Sequence, residues 1–223
     1  MSERVSSLWP IDSFIYRGAE ADLYRTQFLG REAVLKIRIR KEYRNPILDQ
    51  VIRARRTSRE AVLLNRAKGA GVRVPLVRFV DPKHYFFVME CLHGTLLREA
   101  LKTREVDWKE VAVRMSRDVA AMHGADVIHG DLTTSNVMIV GGELAYFDFG
   151  LGEISGDIEK KAVDLELLSR VMHSTHPHIE KKFLRVFTGE YEKALDVGSE
   201  VVKRFKIIRR MGRYIPRELR KRV

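Results

Sequence analysis

The chain has 223 residues, a formal net charge of +11 and an apolar fraction of 45%. That apolar fraction can build a hydrophobic core, and no apolar stretch is long enough to cross a bilayer, which excludes a membrane-embedded enzyme. The single cysteine, Cys91, excludes a disulfide framework and a cysteine-rich metal site. Because the residues after Met1 lack the apolar run of a secretory signal, we expect a protein of the reducing cytoplasm.

The first predicted elements are two short strands at residues 14–17 and 22–25, joined by the turn Gly18-Ala19-Glu20-Ala21. Small residues keep such a turn tight, so its backbone amides can face an anion such as a phosphate. The turn has only one glycine, and the Glu20 carboxylate would repel a phosphate unless a cation lay between them. A phosphate-binding turn formed by these four residues and a plain surface turn therefore both stay open.

A lysine lies inside the next predicted strand, which includes residues 34–37. A buried ammonium group such as that of Lys36 is costly unless an anion meets it. A helix is predicted to start near Thr57, and Glu60 in its first turn is the natural partner of Lys36. Taken alone, the two residues are better explained as a snorkelling strand lysine and a solvated helix carboxylate. The motifs further along the chain reverse that preference.

An apolar strand at residues 85–92 contains Glu90 and is followed by His93-Gly94 and a helix-like run from Thr95. This pattern is typical of a hinge between two lobes. A planar base in an apolar slot needs only one or two hydrogen bonds at its edge, which backbone groups of Glu90 and Leu92 can supply. The hinge divides the chain into a strand-rich lobe over residues 1–91, a helical lobe over 92–202 and a basic tail over 203–223.

Two motifs carry the chemistry: residues 128–136, which contain Asp131 and end in Asn136, and residues 147–150, which contain Asp148. The apolar stretches between them predict a β-hairpin that returns the chain, so the three oxygen-bearing side chains can face one ligand. An isolated Asp-Phe-Gly is usually a turn, but the joint spacing indicates a functional site. Oxygen ligands suit Mg2+, and a carboxylate can receive a hydroxyl proton, as phosphoryl transfer requires.

These motifs look like the catalytic loop and the metal loop of a protein-kinase-like phosphotransferase. They predict an α+β fold of two lobes that uses ATP and Mg2+. Under this interpretation Lys36, held by Glu60, orients the α and β phosphates. Asn136 and Asp148 hold Mg2+, and Asp131 receives the proton of the attacking oxygen. The sequence leaves open whether that oxygen belongs to water or to a serine.

The region after Gly150 is short, because a core helix is already predicted at residues 160–168. Conventional protein kinases place a long activation segment there and build their platform for peptide substrates from it. We therefore do not expect a peptide platform. Gly130 also stands where many kinases carry an arginine that pairs with an activation-loop phosphate, so control by loop phosphorylation loses its receptor.

The chain resembles the small atypical kinase subunit of the KEOPS complex, known in animals as the p53-related protein kinase, and its compact archaeal members in particular. The likeness spans nearly the whole chain and rests on residues 18–21, 36–38, 43–49, 56–61, 71–75, 129–136, 161–165 and 174–177. It implies an ATP-consuming subunit that acts beside a Kae-type partner of the ASKHA fold and other KEOPS subunits in forming N6-threonylcarbamoyladenosine in tRNA. It also implies weak serine/threonine autophosphorylation.

Basic residues are concentrated in two segments. Residues 203–223 contain ten Lys or Arg and one acidic residue, and residues 31–59 contain ten and three. Such clusters are the usual electrostatic footprint of nucleic-acid binding, so the tail is a candidate contact with tRNA. A solvated basic end remains the alternative.

Three other interpretations compete. Rio-type kinases share the compact helical lobe, but the intact Asp148-Phe149-Gly150 and the lack of a leading winged-helix domain weigh against them. Small-molecule kinases of the aminoglycoside and choline type use a similar loop, yet they carry larger helical lobes than this chain can supply. A non-catalytic nucleotide-binding scaffold would have no need of the candidate base Asp131.

Overall fold

The computed structural model describes residues 9–213. The strands of its N-terminal sheet are β1 Ser13–Arg17, β2 Ala21–Phe28, β3 Arg31–Arg38, β4 Val77–Asp81 and β5 Phe86–Glu90. They form an antiparallel sheet in the order β1-β2-β3-β5-β4. The two strands predicted at the start of the chain are present, and the turn between them lies at the predicted place, although Ala21 already belongs to β2.

One long helix, α1 Pro46–Gly69, packs against this sheet. The side chain of Asn45 accepts hydrogen bonds from two backbone N–H groups of the first turn, and Pro46 occupies that turn. The predicted helix start near Thr57 is therefore wrong. Thr57 lies inside α1, where its hydroxyl donates to the Arg53 carbonyl at 2.8 Å. A hydroxyl side chain can satisfy itself in this way within a helix as well as at its start.

The central strand β3 separates an apolar face from a charged one. Successive strand residues point to opposite faces of a sheet. Leu35 and Ile37 belong to a small apolar core on one face, which also contains Phe86. Lys36 and Arg38 consequently point to the other face, towards α1. Their position on this strand brings both cations to the candidate site.

The C-terminal part is mainly helical. Its helices are α2 Leu97–Thr103, α3 Trp108–Gly124, α4 Ile158–Thr175, α5 Glu180–Ala194 and α6 Gly198–Arg213. Its short strands are β6 Thr95–Leu96, β7 Val127–Ile128, β8 Val137–Val140, β9 Glu143–Tyr146 and β10 Glu153–Ile154. The predicted hairpin is the antiparallel pair β8 and β9. The helix-like run from Thr95 begins as strand β6, which pairs with β8, so its helical part starts only at Leu97.

A single large apolar core joins the helices to the lower face of the sheet. It includes Leu63 and Leu64 of α1, Phe87 of β5, and many residues of α3, α4 and α5. The catalytic-loop strand β7 and the hairpin are embedded in the same core. The loops of the candidate site therefore lie directly on this continuous apolar core. Among the residues that the structure describes, no helix combines the length and the apolar character needed to cross a bilayer.

The predicted boundary between a helical lobe and a separate tail at residue 203 does not coincide with a break in the fold. Helix α6 runs through this point, and Val201, Val202 and Phe205 are buried in the core. Arg204 contacts Glu159 of α4 in the same region. Residues 203–211 are thus a packed part of the helical region, because α6 has an apolar side as well as a basic one. The remainder of the predicted tail, 214–223, lies outside the described residues.

Candidate active site

Lys36 forms the centre of a buried charged cluster. Its Nζ lies 2.6 Å from Oε1 of Glu60 on α1 and 2.8 Å from Oδ1 of Asp148. Burial by itself lowers the pKa of Lys36, but the attraction of Glu60 and then of Asp148 outweighs it, so the pKa lies above its ordinary value. Lys36 therefore stays charged, and Glu60 is the partner that the sequence predicted.

Arg38 is a further member of this cluster, which the sequence motifs did not indicate. Its side chain is only 2% exposed, and its Nη2 donates to Oε2 of Glu60. Each oxygen of Glu60 thus meets one cation from β3. Two cations and two carboxylates balance their formal charges, as a buried ionic group requires. The two-residue spacing of Lys36 and Arg38 on a predicted strand was the available signal, since it places both on one face.

Asn136 and Asp131 are joined within the catalytic loop. The Nδ2 of Asn136 donates to the backbone oxygen of Asp131 at 2.9 Å and to its Oδ2 at 2.8 Å. This arrangement uses the amide nitrogen of Asn136 and leaves its Oδ1 for a cation. The second carboxylate oxygen of Asp131 likewise keeps its capacity to accept a proton. The loop therefore presents a carboxylate oxygen and an amide oxygen side by side, which could accept a proton and bind a cation.

Asp164 on α4 holds the catalytic loop in place, a role that the sequence motifs did not indicate. Its carboxylate accepts the backbone N–H of His129 at 2.6 Å and that of Gly130 at 2.8 Å. Asp164 is itself buried, and His123 lies against it with Nε2 at 3.4 Å. The available signal was a carboxylate on the helix predicted to lie in the core, because a buried charge needs donors from elsewhere.

Gly130 allows a close approach that a side chain would prevent. Its φ is +77°, in the region that favours glycine. A Cβ at this position would lie 2.3 Å from the carbonyl oxygen of Leu151, which follows the metal loop. The carbonyl of Leu151 therefore leaves no room for a side chain at position 130, which is a steric reason why no arginine is found there. It also ties the catalytic loop directly to the metal loop.

Asp148 and Phe149 form the metal loop. Asp148 has a φ of +61°, and its side chain is half exposed towards the cleft. Burial raises the pKa of Asp148, but the charge of Lys36 and its hydrogen bond lower it more, so the net pKa lies below the ordinary value. Phe149 is buried against His129, with ring centroids 4.3 Å apart. An ionised Asp148 is thereby fixed at the edge of the cleft.

The turn between β1 and β2 is closed by a hydrogen bond from the Gly18 N–H to the Ala21 carbonyl at 2.8 Å. The Glu20 carboxylate points to two arginines, with Arg44 at 3.2 Å and Arg56 at 2.8 Å. Its negative charge is therefore already balanced by the protein. This finding removes the electrostatic objection to a phosphate beside the turn, whose members are Gly18, Ala19, Glu20 and Ala21.

The hinge residue Glu90 uses its side chain to brace the sheet. Its carboxylate pairs with Arg73 and also accepts the Leu76 N–H at 3.1 Å. The hydrogen bond from Arg73 lowers the pKa of Glu90 below its ordinary value, against the opposing effect of burial. The backbone N–H of Glu90 is bonded to the Leu76 carbonyl at 2.9 Å. A base at this hinge could therefore use the Glu90 carbonyl and Leu92, but not the Glu90 N–H.

The residue set fits a magnesium nucleotide. Asp148 is ionised and Asn136 offers an amide oxygen, and these are the hard oxygen ligands that Mg2+ takes beside the oxygens of a triphosphate. Lys36 supplies a fixed positive charge beside them. The structure brings Lys36, Glu60 and Asp148 into direct contact and, separately, Asp131 and Asn136.

Comparison with known proteins agrees with this geometry. The model of the protein kinase domain matches residues 30–174. The KEOPS complex subunit Bud32 of Pyrococcus abyssi is 39% identical over 209 residues, which cover 90% of this chain and 95% of that protein. The chain belongs to the Bud32 family of KEOPS subunits. The two-lobed α+β fold and the kinase-family enzyme class predicted from the sequence are confirmed.

Two further matches show how far the similarity extends in sequence and in fold. A probable bifunctional tRNA threonylcarbamoyladenosine biosynthesis protein of Methanothermobacter thermautotrophicus is 43% identical over 199 residues. The match covers 89% of this chain but 36% of that protein, so the chain spans about a third of its length. A Rio2 kinase complex from Chaetomium thermophilum has a TM-score of 0.55 at 15% identity, covering 94% of this chain and 74% of that one. The Rio2 match shows a shared fold only, whereas the family is shown by the 39% identity to the Pyrococcus abyssi protein over most of both chains.

Proposed function

We propose that the chain is an ATP-dependent, Mg2+-requiring phosphotransferase or ATPase. The observation that carries this proposal is the contact of Lys36 with both Glu60 and Asp148. A buried ammonium beside an ionised metal-binding carboxylate is the arrangement that phosphoryl transfer uses to position a triphosphate. The charge-neutral cluster has no need of a ligand for folding, yet its half-exposed member Asp148 faces the cleft.

Each residue of the site would have a defined task. Lys36 would bind the α and β phosphates, with Glu60 and Arg38 holding its position. Asn136 and Asp148 would hold Mg2+, which neutralises the charge that develops on the phosphates. Asp131 would receive the proton of the attacking hydroxyl or water through its free oxygen. Gly18, Ala19, Glu20 and Ala21 would cover the phosphates, while the Glu90 carbonyl and Leu92 would contact the base.

The names of the relatives supply the biological setting. Because those proteins are named as KEOPS subunits and as tRNA threonylcarbamoyladenosine biosynthesis proteins, we propose the same modification of tRNA for this chain. Its partners would be other KEOPS subunits, including a Kae-type protein of the ASKHA fold. The reaction would take place in the cytoplasm, where the single thiol of Cys91 stays reduced.

The metal loop favours an ATPase or a restricted kinase over a general protein kinase. Only residues 151–157 separate Gly150 from α4, and strand β10 within them pairs with β7 of the catalytic loop. This segment has no length left for a peptide platform. The acceptor of the phosphoryl group would therefore be water or a hydroxyl presented by the chain itself or by a bound partner.

The test follows the γ-phosphate of labelled ATP. Wild-type protein and Asp131→Ala are incubated with Mg2+, alone and with a Kae-type partner and tRNA, and the label is traced to water or protein. We expect release to water that depends on Asp131 and rises with the partner or with tRNA. Label mainly on an unrelated acceptor protein would instead indicate a true protein kinase, and turnover that survives in Asp131→Ala would refute the assigned base.

A matched control separates loss of chemistry from loss of structure. Asp196 is an exposed aspartate outside the site, so Asp196→Ala should retain full turnover. Asp131→Ala should still bind Mg2+-ATP, because Lys36 and Asp148 do not depend on it. Transfer that is absent from the wild-type protein under every condition would favour a nucleotide-binding scaffold.

A further inference from the structure

Three side chains with different donor atoms meet beside the hinge, at the end of the β3–β5 ladder. They are Glu32 of β3 and Cys91 and His93, which follow β5; we call them the hinge cluster. Their oxygen, sulfur and nitrogen atoms all lie within 4.8 Å of one another. The active-site residues described above do not include Glu32 or His93, and they use only oxygen ligands for Mg2+.

Sheet register explains why these residues meet. Strands β3 and β5 pair antiparallel, with Ala33 opposite Glu90 at the end of the ladder. If the same register continues by one more pair, Glu32 comes opposite Cys91. His93 lies two residues beyond Cys91, and in an extended chain alternate residues point to the same side. The cluster is therefore fixed by the position of the hinge and does not depend on a loose surface loop.

The Glu32 carboxylate is already oriented. Its Oε1 accepts a hydrogen bond from Nη1 of Arg25 at 2.7 Å, while its Oε2 lies 3.0 Å from Nε2 of His93. Arg25 holds one oxygen of Glu32, so the other oxygen is directed towards His93. In metal sites a hydrogen bond of this kind commonly orients a ligating carboxylate. Glu32 and His93 are exposed and Cys91 is half-buried, so a solvated ion can reach all three.

We propose that the hinge cluster binds a borderline divalent metal ion of the Zn2+ class. Zn2+ accepts sulfur, nitrogen and oxygen together, and three protein ligands with one open position are common for it. Ligand bonds of about 2.0–2.3 Å in a tetrahedron separate the donor atoms by roughly 3.3–3.6 Å, which lies within the span of the cluster. Mg2+ does not suit the site, because it prefers an all-oxygen shell.

Binding requires the loss of one proton. The thiol of Cys91 must become a thiolate, and the sulfur–metal bond replaces the sulfur–hydrogen bond while the proton leaves to solvent. Burial, and then the charge of Glu32, raises the pKa of Cys91, so the thiol holds its proton in the absence of metal. A divalent cation reverses this electrostatic balance, because it neutralises Glu32 and attracts the sulfur charge.

The test uses Co2+ as a spectroscopic probe for the full-length, reduced protein. A thiolate bound to Co2+ gives a near-ultraviolet charge-transfer band that oxygen ligands do not give. We expect the band to saturate at one equivalent of metal in the wild-type protein and to disappear when Zn2+ is added. Cys91→Ser should abolish it. His93→Ala and Glu32→Gln should each weaken binding by at least about tenfold, since loss of an outer partner alone already costs that much.

Two controls distinguish the hinge cluster from other sites. His84, half-buried and paired with Asp81 at 2.7 Å, lies outside the cluster, so His84→Ala should bind Co2+ like the wild type. Asp148→Ala should also keep the band, because the proposed Mg2+ site contains no sulfur. Absence of the band in the wild type, or a band unchanged in both His93→Ala and Glu32→Gln, would overturn the proposal.

A second measurement needs no variant. Cys91 is the only cysteine of the chain, so the rate of thiol alkylation reports on this residue alone. Zn2+ should slow alkylation of the wild-type protein at concentrations that also displace Co2+, whereas Mg2+ should not. Equal rates with and without Zn2+ would contradict the site even if a substituted protein failed to fold.

Discussion

The cluster around Lys36 and the catalytic loop around Asp131 both belong to the candidate active site, but different interactions hold them. Lys36 is positioned by ion pairs between side chains, so each residue must have one particular chemical nature. The catalytic loop is positioned by backbone N–H groups that donate to the single carboxylate of Asp164. Asp164 therefore supports the loop through its backbone and leaves the side chains of Asp131 and Asn136 available for chemistry, whereas Lys36 depends on the side chains of its partners.

The largest effect should come from removing that support. Asp164→Ala leaves the N–H groups of His129 and Gly130 without an acceptor. Each unsatisfied buried donor costs about 1–3 kcal/mol, so we expect the free energy of unfolding to fall by about 2–6 kcal/mol and turnover to be lost. Urea unfolding and ATP turnover measure the two effects. Asp164→Asn, which keeps one acceptor oxygen, should lose clearly less stability, and equal losses for both variants would argue against backbone support as the cause.

Arg38→Gln tests the other half of the comparison. Glu60 would lose one of its two cations and with it a charge-assisted hydrogen bond worth about 1.5–3 kcal/mol. If that energy holds Lys36 in its catalytic position, kcat should fall by about tenfold to a hundredfold.

The shape of the kinetic change identifies a positioning role for Arg38. We expect kcat to fall while the KM for ATP changes little, and Arg38→Lys to recover part of the loss. A rise in KM alone, or a loss of stability with unchanged kcat, would mean that Arg38 serves packing only.

A pH experiment examines the charge of Asp148. Its pKa is lowered in the folded protein, so its contribution to stability is present above the unfolded value of about 3.9 and is lost as the pH falls through the lower folded value. Asp148→Asn should therefore be less stable than the wild type at about pH 6, and the gap should shrink towards about pH 3. Urea unfolding at both pH values measures it. Asp196→Asn, an exposed control, should show no gap at either pH.

The smallest effect concerns the basic side of α6. Because α6 is packed, truncation after Val202 would expose the core, so substitutions are the better test. Lys203, Lys206 and Arg210 are exposed. Replacing all three by Gln should weaken tRNA binding a few-fold and make its salt dependence shallower, since each lost phosphate contact removes slightly less than one unit from the slope.

The control for that experiment keeps the net charge equal. Replacing the exposed Lys68, Lys102 and Lys109 by Gln removes the same three charges away from α6. If both triple variants lose the same affinity and the same salt slope, general charge explains the effect and α6 has no special part.

What the sequence could predict follows from the range of each interaction. Asp131, Asn136 and Asp148 are close along the chain and have the spacing of a known motif, so the sequence alone identifies them as one set. Glu60 could be paired with Lys36 because a buried ammonium demands an anion. The fold class followed from the same motifs.

The missed features depend on contacts between distant elements. Arg38 and Asp164 act through partners from other elements, which spacing alone does not reveal. The start of α1 was misplaced because Thr57 has the composition of a cap while satisfying its hydroxyl inside a helix. The electrostatic problem of Glu20 was recognised, but Arg44 and Arg56, which resolve it, lie in another part of the chain.

The close approach of Gly130 to Leu151 has a consequence for how activity could be switched. With β7 and β10 paired beside this contact, the catalytic loop and the metal loop form one mechanical unit. Swinging Phe149 out of the core would require breaking that pairing and the core beneath it. We therefore expect the metal loop to have no separate inactive conformation. The rate of turnover would then be set by how partner proteins and substrates bind at the cleft.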